Sequence, residues 1–224
     1  MKKYIIAPSV LSANFWDLKK DLTQIKELGV SWIHYDVMDF DFVPNLTFGP
    51  KILEDIKANI DLNVDIHFMI KNKQKQLIDF LNPFIKCQPQ MMTMHFESLS
   101  EPQINEFIQI CHKNNIKASL AINPDKKINQ IERYLSKLDN VLVMSVFPGF
   151  GGQKFDSRAI ENISQLRTII DGQKLNLTIE VDGGINEETA SLVKKAGIDI
   201  MVAGSYLFGQ SDIKKRLELL QANE

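Results

Sequence analysis

Eight short apolar runs, most of them rich in β-branched residues, recur along the whole 224-residue chain: YIIAPS, WIHYDV, NVDIHFM, MMTMHF, KASLAI, VLVMSV, LTIEVD and DIMVAG. Between them lie segments with helical spacing, such as FWDLKKDLTQIKELG, KQLIDFLNPFIK, INEFIQICHKNN, AIENISQLRTIID and EETASLVKKAG, often closing on Gly, Asn or Asp where a helix would stop. Strands that alternate with helices build βαβ units, and these units demand a parallel sheet. Eight such units in roughly 200 to 250 residues match a closed (β/α)8 TIM barrel better than an open doubly wound sheet, and no G-x-G-x-x-G follows the first strand. Neither a linker nor a low-complexity tract interrupts the pattern, so residues 1–224 are expected to form a single (β/α)8 domain.

Composition narrows the partners. A hydrophobic content of 44% is ample for a sizeable core, and the 26 basic and 28 acidic residues are mixed along the chain without a basic block to engage nucleic acid. Pro8, Ser9, Ser12 and Asn14 interrupt the N-terminal stretch before it reaches the length of a signal core or a membrane span. Cys87 and Cys111 lie far apart, as reduced packing thiols do. These features exclude nucleic acid and membrane as partners and favour the cytoplasm.

Within the strands, parity carries the chemistry. In IHYDVMDFDFVPN, residues 33 to 45, Ile33, Tyr35 and Val37 alternate with His34 and Asp36, so a strand puts both titratable groups on one face. Asp65, His67 and Met69 likewise oppose Ile66, Phe68 and Ile70, and Glu180 with Asp182 oppose Ile179 and Val181. The apolar sets are expected to meet the helices and the polar sets to line the barrel mouth, where the C-terminal strand ends form the active face. His34, Asp36, His67 and Asp182 then converge from three strands as a mixed nitrogen and oxygen site for a divalent transition metal, with zinc and iron both suited to such ligands. One of them alone is most simply a barrel-lining polar residue; their joint placement is not. His95 and Glu97 share the inward parity and are assigned behind the ligands. His112, at a helix end rich in Lys and Asn, is assigned to solvent or capping.

Three glycine-bearing segments follow late strands: PGFGGQ at 148 to 153, DGGI at 182 to 185 and AGS at 203 to 205. Glycine lets the backbone approach a ligand closely, and in barrels the loops after strands seven and eight commonly hold a phosphate through backbone N–H groups. Gly183, Gly184, Gly204 and Ser205 occupy those positions, which removes the need for a basic cluster, while PGFGGQ has the length of a mobile lid. Met38, Met69 and Met144 fill the mouth either as ordinary core or as a dry, polarizable wall around a reactive intermediate.

Taken together, the segments APSVLSANF, HYDVMD, FVPNLTFGP, DIHFMI, VLVMSVFPGFGGQKF, EVDGGI and VAGSYLFG resemble the ribulose-phosphate 3-epimerase family nearly end to end. The resemblance implies a barrel of the ribulose-phosphate-binding type and a metal-assisted isomerase of the pentose phosphate pathway. Such an enzyme interconverts D-ribulose 5-phosphate and D-xylulose 5-phosphate through an enediolate. It implies that Asp36 and Asp182 are both metal ligands and the acid/base pair, with His34 and His67 completing the ligand set around one divalent ion: zinc or iron(II) first, manganese or cobalt as further options. It also matches Ser9, His67, Asp182, the loop of Gly149, Phe150, Gly151 and Gly152, and Gly183, Gly184, Gly204 and Ser205 to substrate-binding positions, and it allows a homo-oligomer. Two carboxylates suit an inversion because a single base tends to return the proton to the side it came from.

Phe40, Asp41 and Phe147 depart from the usual family residues, which leaves the lid loops open to difference. The nearest rival is a 3-epimerase of a hexulose phosphate such as allulose 6-phosphate. A lyase or decarboxylase on the same barrel typically needs a lysine at a catalytic strand end, and a non-catalytic phosphosugar binder leaves the paired acids unexplained.

Overall fold

The computed structural model describes residues 4–222. Its strands are β1 (Ile5–Pro8), β2 (Trp32–Met38), β3 (Asn63–Met69), β4 (Met91–His95), β5 (Lys117–Ile122), β6 (Asn140–Met144), β7 (Thr178–Asp182) and β8 (Ile200–Ala203). They form one sheet of parallel ladders in which sequence neighbours pair from β2 round to β8 and β1 joins β8. A single parallel bridge between Ser9 and His34 brings β1 to β2 and nearly closes the barrel.

Seven α-helices lie among the described residues: α1 (Leu18–Glu27), α2 (Pro50–Asn59), α3 (Leu77–Ile85), α4 (Glu101–Lys113), α5 (Arg158–Gln173), α6 (Glu187–Ala196) and α7 (Ile213–Gln221). Where an eighth is expected, between β5 and β6, the crossover instead carries 3-10 turns at Ile128–Gln130 and Glu132–Lys137. Its buried residues Ile128, Ile131, Tyr134, Leu135 and Leu138 recur every third or fourth position, a spacing that either helix type can present.

Alternation sorts the strand residues as expected. Ile33, Tyr35 and Val37 of β2, with Val64, Ile66 and Phe68 of β3, belong to the main core shared with the helices. The opposite parity fills the barrel. Toward the N-terminal strand ends that filling is apolar, with Met91 and Ile200 packed against Ile5 and Trp32. Higher up it turns polar, and His34, Asp65, Thr93, Ser119, Asn140 and Glu180 are all fully buried.

Phe68 shows what holds the outer layer. Its ring meets Phe80 and Phe84 of α3 edge to face, with centroids 5.5 and 5.0 Å away, an arrangement favoured by the ring quadrupoles in addition to the buried area. Phe68→Ala should therefore cost about 3–5 kcal/mol in reversible denaturant unfolding. A loss below about 1 kcal/mol would show that this face of β3 is not a packed one.

Candidate functional site

The polar ends of β2, β3 and β7 meet at one point. His34 Nε2 lies 3.3 Å from Asp36 Oδ1 and 3.2 Å from His67 Nδ1, and His67 Nδ1 lies 3.2 Å from Asp36 Oδ1. Asp182 Oδ2 stands 3.9 Å from both imidazole nitrogens. Each of the four residues thus offers one ligand atom within 4.8 Å of all the others. A tetrahedral ion with bonds of ~2.1 Å separates its ligand atoms by roughly 3.4 Å, so the spacing fits a divalent cation.

The surrounding hydrogen bonds aim lone pairs at that point. His34 Nδ1 is 2.7 Å from Asp65 Oδ2, so its proton belongs there and Nε2 is left for the centre. His67 Nε2 is 2.9 Å from His95 Nε2, and His95 Nδ1 is 3.3 Å from Glu97 Oε2. Glu97 also accepts the backbone N–H of Asn123 at 2.8 Å. A carboxylate only accepts, so His95 donates from Nδ1 and accepts at Nε2, which leaves His67 Nδ1 facing the centre unprotonated. His95 and Glu97 therefore stand behind a ligand, as expected from their parity.

Two lone pairs and two carboxylates around one point require positive charge. Without a cation a proton supplies it: burial opposes a charged His34, but the Asp36 and Asp65 carboxylates outweigh burial and hold the imidazole well above its usual range. Burial would raise Asp36, yet His34 and His67 keep its carboxyl well below the usual range. Asp182 moves the other way, pushed up to about 7 by burial, with His34 opposing and Asp36 and Asp65 adding. Burial lowers His67 and brings His95 down to about 4, so both imidazoles are neutral at physiological pH. Two carboxylates whose proton affinities are driven apart can serve as donor and acceptor.

A cavity of about 540 Å³ opens over this cluster, lined in part by Ser9, Asp36, Met38, Met69, Met144 and Asp182. The methionines are each at most 4% exposed and pack in small apolar clusters beside it. Ser9 Oγ donates to Asp36 Oδ2 at 2.7 Å and so fixes that carboxylate. His34 and His67 do not line the cavity; they are fully buried beneath it. Gly149, Phe150, Gly151 and Gly152 line the same cavity, as do Gly183, Gly184, Gly204 and Ser205. Gly184 has φ 60°, and a Cβ there would lie 2.6 Å from the backbone nitrogen of Phe155, so the close approach of the two loops requires glycine. The PGFGGQ loop is tied down: Gln153 Nε2 donates to the carbonyls of Phe147 and Phe150, each at 2.8 Å, and Asn45 Nδ2 donates to Gly149 O at 2.7 Å.

The sequence does not single out every residue of the site. Lys154 and Arg216 bring two cations to the cavity wall, where backbone N–H groups alone were expected. Arg216 is held in place by Asp212 Oδ1 at 2.6 Å and the Tyr206 carbonyl at 3.2 Å. In sequence it sits in KKRLELLQ, which reads as a solvated helix face. Asp65 and Glu180 have the expected inward parity but lie below the mouth, fully buried. Burial pushes Glu180 up to about 8, with Asp65 adding. Among the departures, Phe40 is exposed with φ 61°, Asp41 pairs with Lys71 and Lys73, and Phe147 lies under the Arg158 guanidinium at 6.0 Å. His112 is partly exposed and pairs with Asp139 at 2.9 Å, away from the site, and Cys87 and Cys111 are free thiols.

Comparison with known proteins agrees with this geometry. Residues 5–208 match the model of the Ribulose-phosphate 3 epimerase family. The chain is 39% identical over 220 residues to a ribulose-phosphate 3-epimerase of Bacillus subtilis, covering 98% of this chain and 99% of that one. It is 35% identical to the corresponding protein of Escherichia coli, covering 99% and 96%. An Arabidopsis thaliana ribulose-5-phosphate-3-epimerase, named as chloroplastic, is 36% identical over 98% of this chain and 77% of its own length. Among solved structures, a tryptophan synthase alpha-subunit mutant from Pyrococcus furiosus superposes with a TM-score of 0.71 at 15% identity over 97% of each chain, a likeness of fold alone.

Because the His34 proton and a metal compete for one nitrogen, adding Zn2+ to metal-free protein near pH 7 should release about one proton, and apparent affinity should fall as pH is lowered. Calorimetry in two buffers of different ionisation enthalpy measures both. An affinity independent of pH would remove His34 from the ligand set.

Proposed function

Since the chain belongs to the ribulose-phosphate 3-epimerase family, we propose that it interconverts D-ribulose 5-phosphate and D-xylulose 5-phosphate by inverting carbon 3, as a divalent-metal-dependent isomerase of the pentose phosphate pathway. The observation that carries this reading is the meeting of Asp36 and Asp182, from β2 and β7, around a point ringed by two imidazole lone pairs. Carbon 3 of a 2-ketose is acidified by the neighbouring carbonyl. One carboxylate removes its proton, and the other delivers a proton to the opposite face of the planar enediolate. The reverse reaction exchanges their roles, so each carboxylate serves as base in one direction and as acid in the other. A cation held by His34, Asp36, His67 and Asp182, zinc or iron(II) by the chemistry of the donor set, supplies Lewis-acid stabilisation of the developing oxygen charge when bound.

The remaining residues position the sugar. Ser9 holds the far oxygen of Asp36, so its near oxygen stays aimed at the reaction centre. Met38, Met69 and Met144 keep water from the intermediate. Gly183, Gly184, Gly204 and Ser205 offer backbone N–H groups to the phosphate, with Arg216 and Lys154 adding charge nearby. All four candidate ligands come from one chain, so a homo-oligomer is not needed to complete the site. Among the described residues no helix is long and apolar enough to cross a membrane. No described strand ends in lysine, so the lyase reading gains no support.

Asp182→Asn and Asp36→Asn test the two-acid mechanism. In metal-loaded protein each should lower epimerisation ~10²- to 10⁴-fold while washing solvent deuterium into carbon 3 of only one epimer, a different one in each variant. Metal content must be measured alongside, and undiminished interconversion by metal-loaded Asp182→Asn would sink the mechanism. Ribulose lacking its phosphate should lose at least ~100-fold in kcat/KM, because remote binding at the glycine loops positions carbon 3. Equal efficiency on both sugars would overturn the phosphate assignment.

A further inference from the structure

We propose that Asp65 is a positioning residue for the metal centre: its carboxylate accepts the hydrogen bond of the His34 Nδ1–H and thereby commits the Nε2 lone pair to the ion. The inference rests on the reading that His34, Asp36, His67 and Asp182 hold a divalent cation, and it gives a function to a buried charge that the epimerisation steps do not use.

Register puts Asp65 there. His34 of β2 and Asp65 of β3 are paired Cα partners in the parallel ladder, and both point into the barrel. Asp65 Oδ2 is 2.7 Å from His34 Nδ1, while its other oxygen accepts from Thr93 Oγ1 of β4 at 3.1 Å. Glu180, the other carboxylate near that nitrogen, stands at 3.6 Å, beyond hydrogen-bond range, with its far oxygen taken by Asn140 at 2.8 Å. All of these side chains are buried, so water does not replace a lost acceptor.

The consequence for the metal is specific. An imidazole carries one proton when it ligates, and whichever nitrogen finds an acceptor keeps that proton. With Asp65 in place the proton stays on Nδ1, on the side away from Asp36 and Asp182. An amide at position 65 can turn its NH2 toward Nδ1, which then accepts; the ring proton moves to Nε2 and points into the metal position. Ligand orientation and basicity are lost together, an effect that commonly weakens metal binding ~10- to 100-fold. A purely structural role predicts something else: lower thermal stability, with the folded protein still binding metal normally.

Titration of the metal-free full chain with Co2+, followed by its visible ligand-field absorption, separates the two. Asp65→Asn should raise the Co2+ Kd by ~10- to 100-fold and alter the absorption band. Thr93→Val, which only loosens the grip on Asp65, should shift Kd the same way by a smaller factor. Wild-type Kd and spectrum in folded Asp65→Asn overturn the proposal, whatever the variant does to Tm. Should Asp65→Asn not fold, Thr93→Val decides, since an unchanged Kd and spectrum there overturn it equally. A wild-type protein that takes up no Co2+ would instead bring down the metal-centre reading beneath it.

Discussion

Asp36, Asp65, Glu180 and Asp182 crowd into a barrel whose interior is largely closed to water, and that much negative charge cannot persist there unbalanced. The rest of the centre follows from how the charge is met. Glu180 is pushed toward its neutral form, Asp65 is turned onto His34 and Thr93, and Asp36 with Asp182 face two imidazole nitrogens. The balance closes only with positive charge at the centre, supplied by a proton on His34 or by a cation. A divalent ion answers the four converging atoms better than one proton does, because it can engage all of them at once.

The barrel keeps stability and chemistry on opposite faces of the same strands. Strands of a parallel sheet covered on both sides are usually apolar throughout. Here β2, β3 and β7 alternate, and their outward residues build the helix-facing core while their inward residues carry the site. The arrangement is costly in a small interior, since each inward polar atom needs a partner and Glu180 Oε1 has none within hydrogen-bond range. Strand β7 also joins the two ends of the site, because Asp182 is followed directly by Gly183 and Gly184. The group proposed to handle the proton and the loop proposed to hold the phosphate are therefore kept at a fixed separation by one short stretch of backbone.

Much of this is legible in the sequence alone. The eight strands, the inward parity of His34, Asp36, His67 and Asp182, and the late glycine loops all follow from a period of two and from the rule that parallel strands in a barrel end on one face. The fifth crossover was not legible as 3-10: Ile128, Ile131 and Tyr134 suit either helix type until packing selects the tighter one. Arg216 and Lys154 also escaped, since nothing local distinguishes a cation on a solvated helix or loop from one folded back over a cavity. The PGFGGQ loop has the length of a lid, and besides the local bonds of Gln153 it is held by Asn45, 104 residues away in sequence, a contact no local pattern encodes.

The sequence by itself determined which side chains face inward, because alternation along a strand is a local property of extended backbone. Only the tertiary structure decided how deep each lies. Asp65 and Asp36 have the same parity on adjacent strands, yet one lies below the point where the four side chains converge and the other beside it. That difference is set by the stagger between strands when the sheet closes, which no single strand contains. The same closure decided the protons: His34 presents Nε2 and His67 presents Nδ1 because Asp65 is the register partner of His34 on β3, whereas His95 lies two residues beyond Thr93, the partner of His67 on β4.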